Sequence, residues 1–120
     1  MKTYCNAFMS DLQQRDIQQL EKWFTDESVV WIPPANPLKG KRKILVLFRA
    51  IFSKYKDLNW QVQQVHEVED RHCIYMTQSW GELKNGTPYK NHIVTDILFN
   101  QNGEIIDLSD YFKDTAAFSS

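Results

Sequence analysis

The stretch YKNHIVTDILFNQNGEIIDLSDYFKD, residues 89–114, decides the fold. Its first arm alternates as an extended chain does. Asn91, Ile93, Thr95, Ile97 and Phe99 fall on one face, and His92, Val94, Asp96 and Leu98 on the other. Asn102-Gly103 closes the turn, because both residues tolerate the positive φ that a tight hairpin demands. In the second arm Ile106, Leu108, Asp110 and Phe112 share a face, opposite Ile105, Asp107, Ser109 and Tyr111. Asp110 therefore stands among residues that leave water on folding. Burying a carboxylate there costs free energy unless it is paired or neutralised, so the position is a candidate site.

Upstream, two more segments alternate. Trp60, Val62, Gln64, His66 and Val68 oppose Gln61, Gln63, Val65 and Glu67. Then His72, Ile74, Met76, Gln78 and Trp80 oppose Cys73, Tyr75, Thr77, Ser79 and Gly81. We place the first set of this second segment on the inner face. Turns are expected at Glu69-Asp70-Arg71 and at Asn85-Gly86 with Pro88.

The N-terminal half is mostly helical. Residues 41–55 carry Ile44, Leu47, Phe48, Ile51, Phe52 and Tyr55 as one unbroken amphipathic stripe. Tyr4, Phe8 and Leu12, with Ala7 beside them, predict a helix over 3–13. Asp16 reads as an N-cap with Gln19 three residues on, opening a helix that carries Ile17, Leu20, Trp23 and Phe24. Ser28 to Ile32 is a short strand stopped by Pro33-Pro34, and 35–40 is a loop. Lys39, Lys41, Arg42 and Lys43 crowd the start of the third helix, where the dipole disfavours cations. They form either a solvated surface or a lip that draws anions.

Helix, helix, strand, helix and then about four antiparallel strands define an α+β domain. Its 120 residues predict one domain over 1–120. A net charge of −1, with both signs interspersed, argues against nucleic acid as a partner. No apolar run reaches membrane-spanning length, and the first residues lack the apolar core of a signal peptide, so the expected location is cytoplasmic. Without secretion, Cys5 and Cys73 are expected as free thiols. His72 and Cys73 point to opposite faces of a strand, and His66 and His92 have no metal spacing. Neither a metal nor a cofactor is expected.

The order and spacing of these pieces resemble the SnoaL-like branch of the nuclear transport factor 2-like superfamily. The resemblance rests on residues 16–24, on VVWIPP at 29–34 with Gly40 ahead of the third helix, on NHIVTDILFNQNGEI at 91–105 and on the closing SDYFKD at 109–114. It implies a cone: a curved antiparallel sheet of about four to six strands wrapped round three helices, with a pocket inside and a homodimer outside. SnoaL-type polyketide cyclases place a catalytic aspartate at the position of Asp110, and the Asn91-His92 pair is similar to one in phenazine-biosynthesis A/B proteins. The chain departs from other members. Ile32 stands where ketosteroid isomerases carry their base, and Thr95 where they carry a protonated aspartate. The strand holding Gln78 and Trp80 lacks the Arg-x-Asp of epoxide hydrolases.

The alternation and the resemblance thus select the same carboxylate. The expected function is a cofactor-independent isomerase, cyclase or hydrolase acting on a small apolar or partly polar molecule. Asp110 is its general acid/base, with a pKa raised by burial. Gln78, Asn91 and Thr95 would orient the ligand's polar group, and Trp23, Ile32, Phe48 and Trp80 would form the apolar wall. The alternative is a non-catalytic binding or dimerisation domain in which Asp110 is structural. For association, the outward face is taken to carry Val65, Cys73, Tyr75, Thr77 and Ser79.

Overall fold

A computed structural model describes residues 2–69 and 71–114. Among them are three helices, α1 (Lys2–Gln13), α2 (Ile17–Glu21) and α3 (Lys41–Lys54). Six strands accompany them: β1 (Phe24–Trp31), β2 (Leu38–Lys39), β3 (Tyr55–Glu69), β4 (His72–Leu83), β5 (Pro88–Phe99) and β6 (Ile105–Phe112). The strands form one open sheet in the order β2-β1-β6-β5-β4-β3. Neighbours are antiparallel except β1 and β6, which run parallel. The α+β class and the expected helix order therefore hold, and the sheet has six strands. No helix of the described residues is long and apolar enough to cross a membrane.

The helices cover one face of the sheet. In α1 the buried stripe is Cys5, Phe8 and Met9, with Leu12 packed beside them; Tyr4 and Ala7 lie outside it. Asp16 does cap α2, its side chain accepting from the Gln18 amide at 3.0 Å. That helix lasts little more than one turn, so Phe24 opens β1 and not a longer helix. Ser28, fully buried in β1, donates to the Ile105 carbonyl and accepts from the Thr25 amide, fastening β1 to β6. The loop after the cis Pro33–Pro34 bond returns as β2, and Gly40, at φ 101°, turns the chain into α3. Tyr55 leaves the amphipathic stripe and begins β3.

Along β5 the predicted alternation is seen directly: Asn91, Ile93, Thr95, Ile97 and Phe99 are all buried. The phase predicted for β4 is reversed. Cys73 lies opposite Ile97, Tyr75 opposite Thr95 and Thr77 opposite Ile93. Directly opposed residues of an antiparallel pair share a face, so Cys73, Tyr75, Thr77 and Ser79 point inward. Trp80, 40 % exposed, and Gln78 point outward. The face assigned above to association is thus the concave one. A register shift between Val62 and Gln64 likewise turns Val65 toward the core, and one between Leu98 and Phe99 buries Ile105 while exposing Ile106.

The expectation of free thiols is overturned. Helix α1 lies across the sheet and brings Cys5 over Cys73, with Cα atoms 6.5 Å apart, and the two are joined as a disulfide. The expectation rested on the lack of a secretion signal, whereas the pairing is made by the packing of α1 on β4, 68 residues apart in sequence.

Candidate functional site

Between α1, α3, the segment 32–34 and the concave face of the sheet lies a cavity of about 110 Å³. Its helical wall is apolar apart from Lys54 at the end of α3, with Phe8, Met9 and Leu12 from α1 and Phe48, Ile51 and Phe52 from α3. The sheet wall mixes Trp60, Ile93, Leu108 and Phe112 with polar side chains placed by strand pairing. These are Tyr55 on β3, Thr77 and Ser79 on β4, Tyr89 and Thr95 on β5, and Asp110 on β6.

Asp110 sits directly opposite Thr95 in the β5–β6 ladder, and Thr95 Oγ1 donates to its Oδ1 at 2.6 Å. Burial of the carboxyl pushes its pKa up to about 6, against the hydrogen bond from Thr95, which favours the ionised form. The residue's remaining accessibility opens onto the cavity, which it lines. Tyr89 is raised chiefly by burial; the negative charge of Asp110 adds to this, while Ser79, Asn91 and Tyr55 act against it. Tyr55, whose ring meets that of Tyr89 edge to face at 5.1 Å, is pushed up to about 12 by burial and then by Tyr89. Both phenols are therefore neutral donors at neutral pH. Among the described residues, the buried hydroxyls of Thr77 and Ser79, 2 % and 0 % exposed, find no hydrogen-bond partner of good geometry.

Four of the eight residues proposed from sequence meet here: Asp110, Thr95, Ile32 and Phe48. The other four do not line the cavity. Gln78 and Trp80 are on the convex face because of the reversed β4 phase. Trp23 is a core residue, its indole donating to Asp11 at 2.9 Å and its rings packed edge-on to Phe8 and Phe99. Asn91 is buried but spent as a clamp: Nδ2 donates to the Asp114 carbonyl, and Oδ1 accepts from the amides of Asp114 and His92. It fixes the chain leaving β6 just after Asp110. Sequence reasoning missed Tyr89, although it shares the odd-numbered face of β5 and could have been found by extending the alternation two residues. Tyr55, Thr77 and Ser79 were missed because the first was counted into α3 and the others were turned outward. The basic lip does not reach the cavity: Lys39 pairs with Glu27 at 3.4 Å, and Lys41, Arg42 and Lys43 are not among its lining residues. Among the described residues, no three His, Cys, Asp or Glu side chains gather into a metal-binding group.

No curated protein matches the chain by sequence. Solved structures match its fold. An NTF2-like protein of unknown function from Exiguobacterium sp. 255-15 superposes with a TM-score of 0.80 at 15% identity, over 93% of this chain and 99% of that one. A putative SnoaL-like polyketide cyclase from Shewanella putrefaciens CN-32 gives 0.81 at 11% identity, over 92% of this chain and 78% of that one. An epoxide hydrolase of the LEH-like type from M. tuberculosis gives 0.78 at 15% identity, over 97% and 84%. At such identities these likenesses carry the fold alone. The family model of the SnoaL-like domain matches residues 5–108, most of the sequence, and the chain belongs to that family.

Proposed function

We propose that the cavity binds a small molecule and that Asp110 moves a proton to or from it, in cofactor-independent isomerase, cyclase or hydrolase chemistry. The observation that carries this reading is a carboxyl group lining an apolar cavity, opposite Thr95 and drawn by burial toward neutral pH. A group with a pKa near the working pH both accepts and returns protons, which contributes on the order of a hundred- to ten-thousand-fold in rate. Tyr55 and Tyr89 supply the donors that would hold a substrate oxygen; Phe8, Phe48 and Ile32 supply the wall. The names of the polyketide cyclase and epoxide hydrolase that share the fold point to the same kind of chemistry. Size limits the substrate. A cavity of about 110 Å³ is well below the several hundred typical of drug-sized ligands, so a compact molecule fits and a polycyclic one requires side chains to move.

The test is a carbon-13 NMR titration of the Asp110 carboxyl. A midpoint near 6 is expected. A midpoint near the ordinary aspartate value of about 4 would remove the acid–base role.

We further propose self-association through the convex face. It presents Trp31, Met76, Trp80, Leu98 and Tyr111, all exposed, and Met76, Val94 and Tyr111 form one continuous row across β4, β5 and β6. Light scattering at tens of micromolar is expected to give a dimer, and Tyr111→Glu a monomer. A monomeric native chain would refute the interface.

A further inference from the structure

Among the described residues, no cationic side chain pairs with the carboxylate that lines the cavity. Asp110 receives one hydrogen bond, from Thr95, and no lysine, arginine or histidine among the described residues forms an ion pair with it. The titratable groups that border the same space are Tyr89 on β5, Tyr55 on β3 and Lys54 at the end of α3. The two phenols are neutral, and Lys54 is an exposed residue. At neutral pH the carboxylate is thus largely ionised, mostly dry and uncompensated, a state that a bound cation would relieve.

The walls suit the same partner. Phe8, Phe48, Phe52, Trp60 and Phe112 all line the space. An aromatic face carries negative electrostatic potential and attracts a cation, more strongly where water is excluded. Alkyl groups around a cationic nitrogen also bury well against such rings. An anionic ligand would meet the repulsion of Asp110, and a neutral one would leave its charge unanswered. The volume of about 110 Å³ limits the ligand to a compact one.

We propose that this cavity takes a compact organic ammonium ion, its charge against Asp110 and its alkyl groups against the rings of Phe8, Phe48 and Trp60. The proposal rests on the cavity being a ligand site and adds the class of ligand. It also implies regulation: a bound cation holds Asp110 ionised and withdraws it from proton transfer, so such an ion inhibits chemistry on a neutral substrate at the same carboxylate.

The experiment follows the intact protein by NMR at constant ionic strength, with tetramethylammonium and tert-butanol as probes. The first carries a permanent charge; the second is a neutral molecule of similar shape. At about pH 8 tetramethylammonium is expected to bind at least about ten times more tightly than tert-butanol. Its affinity should fall about tenfold by about pH 5, as Asp110 takes up its proton, while tert-butanol changes less than about twofold. Asp110→Asn should abolish the preference and leave tert-butanol bound. Trp60→Leu should weaken the cation more than the alcohol, which covers the case in which the first variant is poorly folded. Equal affinities for the two probes, or a preference that survives Asp110→Asn, overturn the ammonium proposal while leaving the acid–base reading intact. If neither probe perturbs residues around Asp110, both fail.

Discussion

Above pH 6, Asp110→Asn is expected to melt at a higher temperature than the native chain while losing about a hundredfold or more of any proton transfer in the cavity. The sign follows from linkage. The carboxyl has a pKa of 3.8 in the open chain and about 6 in the fold. Between those values the native state holds a proton that the unfolded state has released, so stability falls as pH rises through that window. The loss is complete above the upper value and corresponds to about 3 kcal/mol. Asparagine keeps the acceptor that Thr95 needs and cannot ionise, so it escapes the loss. Its amide hydrogens need partners at the cavity wall, which trims the expected gain to about 1–3 kcal/mol. The melting temperature of the native chain should fall relative to that of the variant as pH rises from about 4 to about 6, and the two should then stay parallel. Curves that coincide throughout would mean that the carboxylate is solvated in the native state, and the proposed chemistry would go with it. A residue that destabilises its own fold at working pH is the expected mark of a site kept for function.

Gly81→Ala is expected to be the most damaging small substitution in the sheet, costing about 3 kcal/mol or more. Gly81 pairs with Leu58 of β3 on one side and Tyr89 of β5 on the other. A methyl group placed there lands on the carbonyl of Asp57 and crowds the Leu58 Cα. These are backbone atoms, so no rotamer change relieves the clash, and β3 must lift away from β4 just where their register already shifts between Tyr55 and Asp57. Tyr55, Leu58 and Trp60 would leave the cavity wall together. Gly86→Ala is the natural control. Nothing lies within 4 Å of its added methyl, but its φ of 88° is one that alanine adopts only with strain. It should cost about 1–2 kcal/mol. Urea midpoints of the two variants measure the difference. Equal losses would refute the close approach of β3 to Gly81.

The contrast between β5 and β4 explains how far the sequence could be read. In β5 the faces differ sharply, with Ile93, Ile97 and Phe99 against His92 and Asp96, so burial fixes the phase and carries Asp110 with it through pairing. In β4 both faces are half apolar: Ile74, Met76 and Trp80 rival Cys73, Tyr75 and Thr77. Periodicity cannot choose between them. Contacts distant in sequence make the choice, through the pairing with β5 and the disulfide to α1. The bulge in β3 is invisible for the same reason, since Val62 and Val65 are both inward only because one residue is skipped between them. Helix periodicity located α1 and α3 well, but Tyr55 continues the stripe of α3 while belonging to β3. The apolar floor and the carboxylate were therefore legible, and the polar rim of Thr77, Ser79 and Tyr89 was not.

The place of β6 between β1 and β5 bears on how the molecule is made. While a nascent chain is still short of residue 105, β1 has no described neighbour but the two residues of β2, and the meander of β3 to β5 is bare along β5 as well as along β3. Strand β6, the last of the described strands along the chain, is the one that joins the two parts, and it carries Asp110 into the cavity as it does so. A transcript cut just before that strand would yield a product with an open seam, prone to pair with other chains, and with no carboxylate to work with.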